Sequence, residues 1–345
     1  MVKLVEYTDR TYPLVTVVIP TRNRRRLLAE AIESVQRQKY PNWELIVVDD
    51  CSEDDTWAYL TSLKDHCIRA IRLDRHRERS AARNCGLAKA RGEYILFLDD
   101  DDRLLADALL VLSDALRRCP EAVAAVGQRI LFDEFGWRRL DRNPKRSFVK
   151  TVFDEVLLGW VAFQGCVLYR TSILHKCGGW DERLAGPEDQ ELWLRLSLWG
   201  PVVFVPRPVM ENRIHAGQWR PKDIHSVEEK FRREFVEGLP SKLRSRAERV
   251  LRARQRLKLC SAAYVRGHYI EAVRHFWGAL REVPHLAWSP LVGHSLLGLF
   301  FRAMAGSVLG PAYTLARKAW HALCPPKSSI SPAVRDVSAK RQGHL

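Results

Sequence analysis

The sequence predicts an α/β protein: a mixed, mainly parallel sheet flanked by helices and followed by an α-helical C-terminal region. Three observations carry that expectation. Short β-branched runs alternate with amphipathic stretches through the first half of the chain, the pattern of successive βαβ units. Four consecutive carboxylates, Asp99 to Asp102, follow the apolar run Tyr94 to Leu98, which puts an acidic loop at a strand end, where open parallel sheets bind ligands. After His215 the composition turns strongly charged and helical.

Taken in order, Val15 to Ile19 reads as a strand, Arg24 to Lys39 as a helix, Leu45 to Val48 as a strand, Asp54 to Lys64 as a helix and Ile68 to Leu73 as a strand. A helix over Ser80 to Arg91 is ended by Gly92, the strand Tyr94 to Leu98 delivers the aspartates, and a helix is expected over Leu104 to Cys119; the alternative to a metal-binding role for the run is a solvated turn in which Asp102 caps that helix. Val123 to Phe132 and Val161 to Tyr169 read as strands separated by the basic segment Arg138 to Lys150, expected to be a loop or lid. A helix starts at Glu188, because Leu192, Leu196 and Trp199 recur at helical spacing and Pro187 precedes the acidic pair. Pro221 to Lys258 is charged and helical, and Ala262 to Pro284 reads as a helix-turn-helix resembling a single tetratricopeptide-type unit. Leu291 to Gly310 is long enough to cross a bilayer but carries Arg302, which costs about 2.5 kcal/mol or more at a membrane centre, so a packed or interfacial helix is expected there. The expected organisation is a domain over 1–219, a helical region over 220–325 and a disordered tail over 326–345.

With 345 residues, 46% of them hydrophobic, the chain has the composition of a globular protein rather than a disordered one. Its formal charge of +15 favours anionic partners such as nucleotides or anionic lipid, and the basic residues form no recognisable nucleic-acid reader motif, so no nucleic-acid partner is expected. The eight cysteines show neither C-x-x-C nor zinc-ligand spacing, which points to free thiols in a reducing compartment. The first residues lack the apolar core of a signal peptide, and the expected location is cytoplasmic, at the cytosolic face of the plasma membrane.

Four adjacent carboxylates repel one another and raise one another's pKa unless a cation offsets them, and a hard divalent ion with oxygen ligands suits such a cluster. Pro20-Thr21-Arg22-Asn23, at the end of the first strand, is a turn whose backbone and Thr21 hydroxyl can meet a nucleotide. Asp49-Asp50 ends the second strand, and Asp50 and Ser52 can cap the helix after it. Arg79 and Arg83, one helical turn apart, point the same way; either can contact a diphosphate, with Arg83 the residue assigned to it, and a solvated basic face is the alternative for each. Trp180 and Trp193 fit either sugar stacking or the core.

Together these segments resemble the family 2 glycosyltransferases, inverting enzymes with a GT-A nucleotide-sugar-binding fold. The resemblance runs through VTVVIPTRNR (Val15 to Arg24), YPNWELIVVDDCSEDDT (Tyr40 to Thr56), SAARNCGLAKARGEYILFLDDDD (Ser80 to Asp102), Glu188-Asp189 in GPEDQELWLRL, and Arg213-x-His215. It implies that Asp49 accepts a hydrogen bond from a uracil or thymine imide, which cytosine cannot offer at that edge. It implies a D-x-D motif in which Asp101 ligates Mg²⁺ or Mn²⁺, with Asp99 as its pair and Asp100 near the sugar. His215 would complete metal or phosphate binding, Asp189 would be the general base, and Glu188 would support the acceptor. The implied donor is a UDP- or dTDP-sugar, and the implied acceptor is lipid-linked or a glycan of cell-surface polysaccharide biosynthesis. Peripheral contact with anionic membrane is also expected. No Q-x-x-R-W motif of the processive synthases is present, so one sugar is expected per reaction. Cys51 stands where many relatives carry Gly. The alternative is a catalytically silent nucleotide-sugar-binding or membrane-scaffold protein. A sugar-phosphate nucleotidyltransferase is disfavoured, because the turn after the first strand has no glycine.

Overall fold

The computed structural model describes residues 12–141, 145–215, 224–292 and 298–305. The strands are β1 (Val15–Thr21), β2 (Trp43–Asp49), β3 (Ile68–Arg72), β4 (Tyr94–Phe97), β5 (Arg103–Leu104), β6 (Ala124–Phe132), β7 (Arg138–Asp141), β8 (Phe148–Lys150), β9 (Val167–Arg170) and β10 (Val202–Arg213). The helices are α1 (Arg25–Gln36), α2 (Thr56–Ser62), α3 (Glu78–Lys89), α4 (Ala108–Arg118), α5 (Phe153–Leu158), α6 (Thr171–Cys177), α7 (Glu188–Leu196), α8 (Ile224–Glu237), α9 (Ser241–Arg266) and α10 (Tyr269–Glu282).

The strands form one mixed sheet in the order β3-β2-β1-β4-β9-β6-β10-β5, with β7 added on β6 and β8 on β10. β3, β2, β1 and β4 are parallel. β9 runs antiparallel between β4 and β6, and β10 returns parallel to β6. Near-continuous apolar runs make this possible, because alternate side chains can be buried on both faces. Val18, Ile46, Val48, Ile95 and Phe97 face a core built with α3, α5, α6 and α7. Val15, Val17, Ile19, Leu45, Val47 and Leu96 face a second core closed by α1 and α4. β1, β2 and β4 therefore end at one edge of the sheet, where Thr21, Asp49 and the aspartate run lie.

Several elements differ from the sequence reading. Arg138 to Lys150 contains the strands β7 and β8, on either side of the undescribed residues 142–144. β7 is largely exposed, so no apolar alternation betrays it. Val161 to Tyr169 is a strand only from Val167, after a 3₁₀ turn over Gln164–Cys166. α4 starts at Ala108, because Arg103 and Leu104 pair with β10 instead. Asp102 is no cap, since its carboxylate accepts from Asn212 Nδ2 at 2.9 Å and from the Arg213 amide at 2.8 Å. Asp50 likewise caps no helix and holds His76 and the Arg77 amide, each at 2.7 Å.

The charged C-terminal stretch forms α8 and the α9–α10 hairpin, which turns at Gly267 in the left-handed conformation (φ 84°) that glycine adopts without strain. Ala247, Val250, Ala253 and Ala279 join the same core as the sheet. Asp154 on α5 accepts from both Arg246 and His285, and Glu155 accepts from Ser289 at 2.7 Å and pairs with Lys150. Among the described residues no helix is long and apolar enough to cross a membrane. Of the segment 291–310, residues 298–305 are helical, while 293–297 and 306–310 lie outside the described residues, as do the 219/220 boundary and the 326–345 tail.

Candidate active site

The turns after β1 and β2 are laced together. Asn23 (φ 53°) receives a hydrogen bond from the Glu53 amide at 2.7 Å, and its own amide donates to Ser52 Oγ at 2.9 Å. Cys51 also takes a left-handed conformation (φ 60°), the geometry a glycine would adopt without strain. The tight turn brings the Ser52 amide onto Asp49 Oδ1 at 3.1 Å. Asp49 is fully buried; its Oδ2 has no hydrogen-bond partner, and the Arg72 guanidinium lies 3.5 Å away. A buried carboxylate oxygen left without a donor costs free energy until a ligand supplies one.

A cleft of about 470 Å³ opens at this edge, lined among others by Pro20, Thr21, Arg22, Arg79, His76 and Asp99 to Asp101. The four aspartates have four different environments. Asp99 lies beside Arg83 at 2.9 Å with its side chain 31% exposed. Asp100 accepts from the Thr21 hydroxyl at 2.8 Å and from Arg24 at 3.0 Å. Burial, reinforced by Asp101 and only partly offset by Arg24, pushes its pKa up to about 6. Asp101 accepts from Arg24 at 2.9 Å and meets His215 Nε2 at 3.0 Å. Burial opposes its ionisation, but the His215 hydrogen bond and the Arg24 charge outweigh that and hold it below the usual carboxylate range. Asp102 is raised well above that range by burial and its acidic neighbours, and it serves to tie β10 to this loop.

Beneath the cleft sits Arg83, 1% exposed. Its guanidinium lies 2.9 Å from Asp99, 3.2 Å from Asp189 and 3.7 Å from Glu188, and 5.7 Å over the Trp180 ring. The three carboxylates more than offset the burial that would otherwise lower its pKa. Arg79, one turn before Arg83 on α3, reaches Glu188 at 3.4 Å. Burial, then the neighbouring Asp189, push Glu188 upward. Asp189 Oδ1 collects Arg83, Gln164 Nε2 at 2.8 Å and Trp180 Nε1 at 2.9 Å, and the Tyr169 hydroxyl holds Gln164 in turn. All three of these donors converge on Oδ1, and the carboxylate keeps 30% of its side-chain surface exposed.

The structure thus gathers Pro20, Thr21, Arg22, Asp99, Asp100 and Asp101 at one cleft, with Asp49 at the adjoining strand end and His215 on Asp101. Arg83 departs from its expected place: it lies below the cleft and is engaged by carboxylates rather than facing a diphosphate. Trp193 is a core residue, whereas buried Trp180 spends its indole N–H on Asp189. Sequence reasoning missed Arg24, Gln164, Asn212 and Phe163. Arg24 directly follows the recognised turn, but Gln164 and Phe163 lie on irregular chain that no periodicity marks. For a cation, Asp101, which Arg24 also contacts, and His215 offer a hard oxygen and an imidazole nitrogen on one spot, with partly exposed Asp99 nearby, a donor set that fits Mn²⁺ or Mg²⁺ once ligand oxygens complete the coordination.

A mainly parallel sheet carrying an acidic cleft at its strand ends, with helices on both faces and a C-terminal helical region, defines a GT-A-type α/β protein. Residues 16–178, just under half of the chain, match the family described as Glycosyl transferase family 2. Among curated relatives, the succinoglycan biosynthesis protein ExoO of Rhizobium meliloti is 39% identical over 136 residues, covering 39% of this chain and 37% of that protein. The GalNAc(5)-diNAcBac-PP-undecaprenol beta-1,3-glucosyltransferase of Campylobacter jejuni is 37% identical over 155 residues, 41% of this chain and 49% of that enzyme. The matched stretches thus span less than half the length of these relatives. S. aureus TarS 1-349, solved in complex with UDP-GlcNAc, superposes with a TM-score of 0.60 at 16% identity, covering 84% of this chain and 88% of that one, which establishes the shared fold.

Proposed function

We propose that this chain is a non-processive glycosyltransferase of cell-surface polysaccharide biosynthesis. It would move one sugar, with inversion, from a UDP- or dTDP-sugar to a lipid-linked or glycan acceptor. The observation that carries this reading is Asp189: three donors fix one carboxylate oxygen beside the cleft and leave the other for an acceptor hydroxyl. In a single displacement that oxygen takes the hydroxyl proton as the acceptor oxygen bonds to the anomeric carbon. The bond from that carbon to the diphosphate breaks on the opposite face, and the nucleoside diphosphate leaves with the electron pair.

The remaining roles follow from position. Asp49 Oδ2, which accepts no hydrogen bond and lies 3.5 Å from Arg72, suits an imide N–H. Arg22, Arg24 and Arg79 line the cleft and suit the diphosphate, while Arg83 orients Asp99 and Asp189. Asp99 and Asp100 suit the donor's ribose or sugar, and Glu188 supports the acceptor side. Asp101 and His215 would hold Mg²⁺ or Mn²⁺, which when bound offsets the charge of the departing diphosphate. The donor class is supported by the TarS complex, and the lipid-linked acceptor by the name of the Campylobacter relative. Exposed Trp277, Trp288 and Phe301 on the basic C-terminal helices support contact with anionic lipid at a membrane surface. The test is a donor panel incubated with Mn²⁺ or Mg²⁺: release of UDP or dTDP from a nucleotide sugar is expected, and no release from any donor would leave a silent binding protein.

A further inference from the structure

A second cavity, of about 330 Å³, adjoins the nucleotide cleft; Phe163 lines both, and Asp189 lines the second. Its volume lies within the range of small-molecule sites and accommodates a monosaccharide. Its walls come from distant parts of the chain: Trp160 to Phe163 and Cys166 after α5, Arg129 and its neighbours on β6, Asp141 on β7, Asp189 on α7, Phe204 on β10, and Leu291 beyond α10.

These walls are held firmly. Trp160 meets Trp193 and Phe204 edge-on, with ring centroids 5.4 and 5.7 Å away, and its amide donates to the Glu155 carbonyl at 2.8 Å. α5, which presents Trp160, is itself pinned by Arg246, His285 and Ser289 of the C-terminal region. Arg129 is the one cation among the described lining residues, and it is already engaged. It pairs with Asp141 at 3.2 Å, donates to Asn212 at 3.3 Å and lies 4.8 Å over the Phe163 ring. An acidic ligand would therefore find no free cation here and would face the Asp189 carboxylate. A pyranose without charge can lay its C–H face on an aromatic ring and share hydroxyl hydrogen bonds with Arg129 and Asp141.

We propose that this cavity is the acceptor subsite, that it takes an uncharged pyranose against Trp160, and that the C-terminal region completes it through Leu291. The proposal rests on Asp189 being the base, as argued above. The chain's C-terminal helices then shape acceptor selection as well as any membrane contact.

The test uses the full chain with methyl β-glucoside, methyl β-N-acetylglucosaminide and methyl β-glucuronide as probes. Their affinities are read by ligand-observed NMR titration at millimolar sugar in the presence of UDP and Mn²⁺, with UDP affinity followed by calorimetry. The uncharged sugars should bind, and the glucuronide should bind about tenfold more weakly. Trp160→Ala should weaken the uncharged sugars about tenfold and leave UDP affinity within about twofold. Val161→Trp, which fills the cavity from its half-buried rim, should act alike if Trp160→Ala does not fold. Asp141→Asn frees the Arg129 charge and should erase most of the discrimination against glucuronide. Equal binding of glucuronide and glucoside by the wild type, sugar affinities unmoved by both filling and truncation, or no sugar binding at all would overturn the proposal. If UDP failed to bind while the sugars bound in a Trp160-dependent way, the nucleotide assignment would fall and the sugar subsite would stand.

Discussion

Arg83 is the residue whose removal should disturb the site most, and its surroundings set the size of the effect. The guanidinium is 1% exposed and contacts Asp99 at 2.9 Å, Asp189 at 3.2 Å and Glu188 at 3.7 Å. At an effective dielectric near 20, a charge pair about 3 Å apart attracts by about 5 kcal/mol before desolvation is counted. Removing one member of a buried pair costs about 3–5 kcal/mol net, because the remaining charges stay buried without compensation. Arg83→Met should therefore lower the unfolding free energy by about 3–5 kcal/mol, measured by urea denaturation at neutral pH. It should also change the chemistry. Glu188 is already raised by burial and by Asp189, so without the cation Glu188 should hold its proton to higher pH. The acidic limb of the pH–rate profile for donor turnover should move to higher pH. Arg83→Lys keeps a charge but cannot span three carboxylates, and it should fall between the two. An Arg83→Met protein with the wild-type urea midpoint and an unshifted profile would refute the view that Arg83 neutralises and orients these groups.

Asp101→Ala, or excess chelator on the wild type, should reduce metal-dependent turnover by at least about a hundredfold while the urea midpoint changes little, as measured by nucleoside diphosphate release. UDP and dTDP should bind at least about tenfold more tightly than CDP or GDP, and Asp49→Asn should compress that difference; calorimetric titration of the four nucleotides reads both. Glu44 tests the scaffold. Burial opposes its ionisation, but hydrogen bonds from the Thr16 hydroxyl and the Arg91 amide and side chain outweigh that and hold its pKa below the usual range. A lowered folded-state pKa contributes stability that is present above the unfolded-state pKa and lost as pH falls through the folded value. Glu44→Gln should accordingly flatten the acid side of the stability curve, read from urea midpoints between about pH 3 and 6.

The sheet was legible because its central strands are buried on both faces, so β1, β2 and β4 appear as unbroken apolar runs with polar turns at their ends. The same clarity puts Thr21, Asp49 and the aspartate run at strand ends along one edge from the sequence alone. What the sequence concealed was pairing and division of labour. β7 and β8 are short, added strands, and β7 is largely exposed, so hydrophobic spacing could not reveal either. Four adjacent aspartates look alike in sequence. Their partners, Arg83, Arg24, His215 and Asn212, come from chain up to 114 positions away, and only the fold distinguishes them. The roles of Gln164 and Trp180 were hidden for the same reason, since each acts by pointing a single N–H at Asp189 from a distant part of the chain.

Stereochemistry is the most direct test of the central claim, that Asp189 serves as the base in a single displacement. Proton NMR of the first product formed from an α-linked UDP-sugar should show a β linkage. Asp189→Asn keeps the shape but cannot take the proton, so it should lose about 10² to 10⁴ in kcat with UDP affinity near wild type. An α-linked product, or an Asp189→Asn enzyme that turns over normally, would contradict the account.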